Sequence, residues 1–258
     1  MPRVRLTVCR CRASKMTRTR TYYRAAVGLI SIVVPTYNEA ATIPVLARRL
    51  AAALEGRSWE LIVVDDGSPD GTADVAAALA PALPARVVRR AGKLGLASAV
   101  VDGFAAATGD TLVVMDADLS HPPEVVPQLV DALARGADIA VGSRYVRGGG
   151  TIDWPLRRRV VSRVACLMGN ALVPVRDATS GFFALKRTVV EGVRLNPIGF
   201  KIGFEVIARG RYAKAIEVPY LFHDRAAGSS KFGSGEIVSY AVQLAQVARD
   251  RATGRLRR

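Results

Sequence analysis

Short apolar runs alternate with segments of helical periodicity along the first 150 residues of the chain. The runs are rich in Val, Ile and Leu, which is typical of strands buried on both faces of a parallel sheet. The pattern predicts strands over residues 29–35, 60–66, 85–90, 110–116 and 138–142, and helices over 40–55, 73–79, 95–107 and 123–135. Such strand–helix repeats predict an α/β fold, with a mostly parallel, Rossmann-like sheet flanked by helices.

The pattern changes after the three glycines at 148–150. A helix is predicted over residues 154–172, in which Arg157, Arg158, Arg159 and Arg163 flank apolar positions. Such a helix can lie on a membrane surface with its arginines at the headgroups, or it can pack on the sheet as an ordinary surface helix. A second apolar helix is predicted over residues 237–248, directly before an Arg-rich tail. The C-terminal part is therefore expected to contain amphipathic helices.

The formal net charge of the 258 residues is +15, and most of this excess lies near the two ends. Residues 1–27 hold eight basic and no acidic side chains, and residues 249–258 hold five arginines and one aspartate. We predict a basic N-terminal arm over 1–27, a folded domain over 28–235, and a C-terminal helix with a basic tail over 236–258. The nearly neutral body, without aromatic residues interleaved among basic ones, argues against a nucleic-acid-binding module and a nucleic-acid partner.

Three cysteines provide neither a disulfide framework nor a four-ligand zinc site, which favours a reduced, cytoplasmic protein. No uncharged apolar stretch reaches the roughly 18–20 residues of a membrane-spanning helix, so we expect none. The N-terminus lacks the apolar core of a signal peptide, and the sequence leaves open whether Met1 or Met16 is the true start.

Polar clusters follow three of the predicted strands, at residues 36–39, 65–68 and 116–118. Ligands bind beyond the carboxyl ends of parallel strands, so these clusters are expected to form one site. Because side chains alternate along a strand, Asp116 and Asp118 are predicted to point the same way, toward one ion. Mg²⁺ and Mn²⁺ favour such carboxylates and keep coordination positions open for substrate phosphates.

Six segments carry a resemblance to a known family. VPTYNE at 34–39, VDDGSPDGT at 64–72 and MDADLSHPPE at 115–124 resemble the family 2 glycosyltransferases of GT-A fold. GSRYVRGG at 142–149, DATSGF at 177–182 and RAAGSSK at 225–231 narrow the resemblance to the dolichol-phosphate (polyprenol-phosphate) mannose synthases. The resemblance covers about residues 29–235 and implies a GT-A domain there.

The resemblance implies metal-dependent, inverting transfer of mannose from GDP-mannose to a polyprenyl (dolichyl) monophosphate. A phosphate monoester has a second pKa near 6, so this nucleophile needs no protein base. The closest rival is a polyprenyl-phosphate glucosyltransferase using UDP-glucose, which shares the first three motifs. The resemblance also implies peripheral association with the cytoplasmic face of a membrane, through amphipathic surfaces, the tails or a small membrane subunit.

Site residues follow from the same motifs. The resemblance assigns Asp116 and Asp118 to Mg²⁺ or Mn²⁺. Ser120 is the third candidate ligand, at a position where the family often has Gln, and its shorter hydroxyl is expected to reach the ion only through water. It assigns catalysis to Asp118, Arg144, Arg225 and Lys231. The implied donor-binding residues are Pro35, Tyr37, Glu39, Val64, Asp66, Asp116, Ala117, Asp118, Arg144, Arg225 and Lys231.

Three of these motif positions carry a more specific expectation. The Asp66 carboxylate can accept two hydrogen bonds from guanine but only one from uracil, which favours GDP. Asp65 is expected to cap its turn, and His121 to order the metal loop.

Overall fold

The computed structural model describes residues 28–224 and 234–256. The predicted basic arm, Arg225 and Lys231 lie outside the described residues. The strands are β1 Ile30–Thr36, β2 Trp59–Asp65, β3 Ala85–Arg89, β4 Thr111–Val114, β5 Ile139–Ser143, β6 Gly150–Thr151, β7 Phe183–Lys186, β8 Ala215–Pro219 and β9 Leu221–Phe222. The α-helices are α1 Ile43–Ala53, α2 Thr72–Ala77, α3 Leu96–Ala106, α4 Val126–Ala134, α5 Leu156–Asn170, α6 Ile202–Arg209 and α7 Ser234–Ala252.

Seven strands form one twisted layer in the order β3-β2-β1-β4-β7-β5-β8. Every neighbouring pair is parallel except those of β7, which runs antiparallel to β4 and β5. The prediction of a mostly parallel sheet with flanking helices is therefore confirmed. The strand β7, which the sequence pattern did not reveal, separates β4 from β5.

Two apolar cores lie on the two faces of this sheet. One core includes Leu50 of α1, Ala76 of α2 and Leu129 of α4. The other includes Phe104 of α3 and a set contributed by α6 and α7, namely Phe204, Val206, Tyr240, Leu244 and Val247. The predicted boundary between residues 235 and 236 falls inside α7, which begins at Ser234 and packs against the second core.

The predicted helix over 154–172 is observed as α5, of which only Cys166 and Gly169 are buried. Its large apolar residues are instead mostly exposed; they are Leu156, Val160, Val161, Val164, Leu167 and Met168. Within residues 28–224 and 234–256, no helix combines the length and the hydropathy needed to cross a bilayer.

Candidate functional site

The aspartate pair lies on a turn and not on a strand. Strand β4 ends at Val114, residues 117 and 118 form a turn, and Leu119 adopts a left-handed backbone with φ of 63°. The prediction that strand alternation aligns Asp116 with Asp118 is therefore wrong. The pairing of β4 with β7 stops at Val114 opposite Phe183, two residues before Asp116, so no strand pairing keeps the aspartates in an extended conformation.

His121 orders this turn, as predicted. Its Nδ1 accepts a hydrogen bond from the Asp116 backbone N–H at 3.0 Å, and its ring stacks on Phe182 with centroids 5.0 Å apart. Burial lowers the pKa of His121, although the charges of Asp116 and Asp118 act in the opposite direction. An Nδ1 atom that accepts carries no proton. The imidazole is therefore neutral and serves to position the loop.

The residues around the turn offer few ligands for a divalent cation, but those present have suitable chemistry. No group of three His, Cys, Asp or Glu side chains able to hold a metal occurs among the described residues. The Ser120 Oγ is buried and has no hydrogen-bond partner in the part of the chain that the structure describes. The Ser120 backbone N–H donates to Asp118 Oδ1 at 3.0 Å. Two carboxylates and one hydroxyl suit Mg²⁺ or Mn²⁺, which retain positions for phosphate oxygens.

Arg144 lies directly after β5 and is bound by Asp177. Its Nε and Nη2 donate to the two Asp177 oxygens at 2.8 and 2.7 Å, and its backbone N–H donates to Oδ2 at 2.9 Å. Nη2 also donates to Thr179 Oγ1 at 2.9 Å. Burial alone would lower the pKa of Arg144, but Asp177 raises it above its ordinary value, so the guanidinium stays charged.

Asp177 is a functional residue that the sequence reasoning did not assign. It is fully buried, and it belongs to the DATSGF motif that helped to identify the subfamily. The motif could have indicated that Asp177 belongs to the site. Asp177 is 33 residues from Arg144, however, so nothing in the sequence indicated that these two side chains pair. The ion pair fixes the direction in which Arg144 presents its remaining N–H groups.

The predicted nucleobase residue Asp66 is already engaged by its own chain. Its Oδ1 accepts from Arg90 Nη1 at 2.6 Å and from the Leu94 N–H at 3.0 Å, and its Oδ2 accepts from the Gly95 N–H at 2.8 Å. A carboxylate offers about four acceptor positions, so one remains. The prediction that Asp66 accepts two hydrogen bonds from guanine is therefore wrong for this arrangement of the chain.

The other predicted donor residues lie near the ends of β1 and β2. Lys93 places its ammonium 4.4 Å from the centroid of the Tyr37 ring. Pro35 lies opposite Val64 across the two strands, and Val64 is fully buried, so its side chain contributes to packing. Glu39 accepts from Thr42 Oγ1 at 2.7 Å, at the start of α1.

Asp65 has the turn-capping role predicted for it. Its Oδ2 accepts from the Ser68 N–H at 3.0 Å, and its Oδ1 accepts from Ser68 Oγ at 2.5 Å and from Thr36 Oγ1 at 3.1 Å. Asp65 thereby joins the end of β1 to the loop after β2.

The family model for glycosyl transferase family 2 matches residues 31–194. The chain belongs to this family. The predicted family resemblance is thus confirmed, and this family 2 glycosyltransferase has the sheet topology and flanking helices expected of a GT-A domain.

The chain is similar over most of its length to two curated mannosyltransferases. A dolichol-phosphate mannosyltransferase of Pyrococcus furiosus is 48% identical over 215 residues, covering 82% of this chain and 61% of the relative. A dolichol-phosphate mannosyltransferase of Saccharomyces cerevisiae is 40% identical over 230 residues, covering 84% and 86%. The glycosyltransferase thus spans about three fifths of the Pyrococcus relative's length.

Among solved structures, glucosyl-3-phosphoglycerate synthase from Mycobacterium tuberculosis, in complex with Mg²⁺ and UDP, is similar with a TM-score of 0.65 and 26% identity. The match covers 89% of this chain and 82% of that chain.

Proposed function

We propose that this glycosyltransferase transfers mannose from GDP-mannose to a polyprenyl (dolichyl) monophosphate. The observation that carries the proposal is a groove of about 300 Å³ that joins Arg144 to one side of α5. Its lining includes Tyr145, Arg159, Val160 and Arg163. Positive charge suits the acceptor phosphate and the apolar parts suit its hydrocarbon chain. The names of the two mannosyltransferase relatives support the same acceptor class.

The chain's own residues account for most of the chemistry. Asp116, Asp118 and Ser120 would hold Mg²⁺ or Mn²⁺, which when bound supplies Lewis-acid stabilisation of the donor diphosphate. Arg144, oriented by Asp177, directs positive charge at the phosphates, and Arg225 and Lys231 are proposed to join it. Stabilisation of developing charge in this way is usually the main source of an enzyme's rate acceleration.

Inversion follows from a single displacement. An acceptor phosphate oxygen forms its bond to the anomeric carbon as the bond from that carbon to the diphosphate breaks on the opposite face. The acceptor is already ionised at neutral pH, so no side chain must remove a proton. The neutral, hydrogen-bonded His121 agrees with a site that lacks a protein base.

A polyprenyl-phosphate glucosyltransferase using UDP-glucose is the second candidate. The single acceptor position left on Asp66 fits the N3–H of uracil as well as the N1–H of guanine. The solved neighbour with Mg²⁺ also contains UDP. The preference for GDP-mannose therefore rests on the subfamily motifs and on the mannosyltransferase relatives.

A transfer assay distinguishes the two donors. The purified full chain is given labelled GDP-mannose or UDP-glucose with a polyprenyl phosphate, and lipid-soluble label is measured with Mg²⁺, with Mn²⁺ and with excess chelator. We expect label from GDP-mannose only, and only when metal is present. Transfer from UDP-glucose alone would select the second candidate, and transfer in chelator would contradict metal dependence.

We further propose that α5 places the enzyme on the cytoplasmic face of an anionic membrane. Leu156 and Leu167 of α5 are 75% and 63% exposed, and arginines 157, 159 and 163 lie on the same helix. Such a helix binds a lipid surface through apolar burial and headgroup attraction. α7 adds exposed Ile237, Val238 and Val242. The alternative is that a small membrane subunit binds the exposed apolar residues of α5 and α7.

Replacing Leu167 and Met168 together with Asp is expected to weaken vesicle binding at least tenfold, because each buried side chain contributes about 1.5–3 kcal/mol. Co-sedimentation with vesicles of neutral and anionic lipid measures the effect. Leu94→Asp, in the loop after β3, is the matched control because Leu94 is also 63% exposed. Equal binding by the double variant and the wild type would contradict a membrane role for α5 and favour a protein partner.

A further inference from the structure

Lys201 places a second cation near the cluster formed by Arg144, Asp177 and Thr179. It directly precedes α6, and its Nζ donates to the Thr179 carbonyl oxygen at 3.2 Å. No carboxylate oxygen of the described residues lies within 4.0 Å of this ammonium, whereas Arg144 is paired with Asp177. An ammonium has three N–H donors. The Thr179 carbonyl accepts from one of them, and the Phe200 ring faces the ammonium with its centroid 4.2 Å from Nζ. Within residues 28–224 and 234–256 no further hydrogen-bond acceptor is within reach, so donor capacity remains for a ligand.

The backbone of residues 179–181 ties Lys201 to the reaction site. The Thr179 carbonyl accepts from Lys201, and the Thr179 hydroxyl accepts from Arg144. Two residues further on, a Cβ added at Gly181 would lie 3.8 Å from Asp116 Oδ1. One short segment therefore passes beside Lys201, Arg144 and the metal-binding turn.

Gly203 allows this close approach. A Cβ at this position would lie 2.4 Å from the Ser180 carbonyl oxygen, a contact that no side chain could make without movement of the backbone. The first turn of α6 can therefore pack directly on residues 177–181, which holds Lys201 against Thr179.

The charges around Lys201 make its ammonium a favourable partner for an anion. Asp177 engages the Nε and Nη2 groups of Arg144, so part of the donor capacity of this guanidinium is used within the protein. The pKa of Lys201 is lowered to about 8, because burial and the charge of Arg144 lower it by more than Asp177, Cys166 and Asp116 raise it. A cation in such surroundings is stabilised by an incoming anion. A substrate phosphate would supply that anion.

We propose that Lys201 is a phosphate-binding residue of the transfer site, whose ammonium donates hydrogen bonds to a phosphate oxygen of the substrates. The phosphate belongs either to the donor diphosphate or to the acceptor monophosphate. The assignment of these two phosphates rests on the function proposed above. The binding itself is inferred from the hydrogen bond of Lys201 to Thr179, whose hydroxyl group accepts from Arg144.

Calorimetric titration of the full chain tests the proposal with Lys201→Met, Lys201→Arg and the wild type. The probes are GDP or UDP with Mg²⁺ for the donor arm, and a short-chain polyprenyl phosphate for the acceptor arm. Lys201→Met is expected to weaken one arm by about 10- to 100-fold, the range for a lost hydrogen bond to a charged group. Lys201→Arg, which keeps the charge, is expected to recover most of that loss. The arm that changes identifies the phosphate.

Lys186→Met is the matched control. Lys186 pairs with Asp138 at 2.8 Å. It lies opposite Thr111, the first residue of β4, and therefore at the other end of this strand from the aspartate turn. The Lys186→Met variant should bind both probes with the affinity of the wild type. Wild-type affinity of Lys201→Met in both arms would overturn the proposal. An equal loss in Lys201→Met and Lys201→Arg would also overturn it, because it would indicate a structural role.

These titrations do not depend on transfer. If the wild type fails to move mannose or glucose to a polyprenyl phosphate, the proposed function fails. The comparison of nucleoside diphosphate binding between the wild type and Lys201→Met would still test Lys201.

Discussion

Replacing Asp118 with Asn is expected to reduce kcat/KM for sugar transfer by about a thousandfold or more. A bound cation contributes several kcal/mol to stabilising the developing charge, and each 1.36 kcal/mol is a factor of ten in rate. Asn keeps the size of the side chain and an oxygen able to accept the Ser120 N–H, so the buried turn should keep its shape. Initial rates with labelled donor measure the loss.

Metal binding must be measured separately, because a slow enzyme can still bind its cation. Titration with Mn²⁺ followed by electron paramagnetic resonance should show weaker binding by Asp118→Asn. Asp131→Asn is the matched control, since Asp131 lies on α4 and pairs with Arg57 at 2.8 Å. Unchanged Mn²⁺ affinity and rate in Asp118→Asn would remove Asp118 from the metal site.

Replacing Arg144 with Met is expected to lower the free energy of unfolding by about 3–5 kcal/mol, the cost of removing one partner from a buried ion pair. Asp177 is fully buried, and without the guanidinium that faces both of its oxygens the folded protein must hold either an uncompensated charge or a carboxyl protonated at a cost in free energy. Urea unfolding at neutral pH measures the change. Transfer should also fall, because the positive charge facing the phosphates is lost.

A double variant separates the two effects. Arg144→Met with Asp177→Leu removes both charges, and well-packed apolar replacements of such pairs are often neutral or stabilising. The double variant should therefore recover stability but not transfer. An Arg144→Met enzyme as stable as the wild type would contradict the buried pair, and a double variant with full activity would remove Arg144 from the site.

The pH dependence of stability should follow the same pair. Burial by itself would raise the pKa of Asp177, but the charge and hydrogen bonds of Arg144 hold it below the ordinary value of 3.8. The folded state therefore gains stability from this carboxylate above that pH. The gain is lost as the pH falls through the lower pKa of the folded protein. The stability difference between the wild type and Arg144→Met should shrink in the same acidic range.

The sequence was sufficient for most of the α/β framework. Strands β1 and β2 contain runs of buried apolar residues, at 32–34 and 61–64. Three of the helices between the first five strands, α1, α3 and α4, bury apolar side chains on one face. The strand β7 has four residues, and β8 alternates weakly at the edge of the sheet, so neither has a strong local pattern. Local periodicity reports burial of a segment, but it does not report which segment lies beside it.

The sequence by itself determined the family, the mostly parallel sheet and the capping role of Asp65, because their signals lie in local motifs and in the pattern of neighbouring residues. Only the tertiary structure decided how the site is charged. It pairs Arg144 with Asp177, fills three positions on Asp66 from the loop after β3, and brings Lys201 to Thr179. These partners are 22 to 33 residues apart. Asp66 meets the loop after β3 because β2 and β3 pair in parallel and end side by side. The other two pairs meet because β7 enters the sheet between β4 and β5 and α6 packs on the segment before it, an arrangement set by packing of the whole domain.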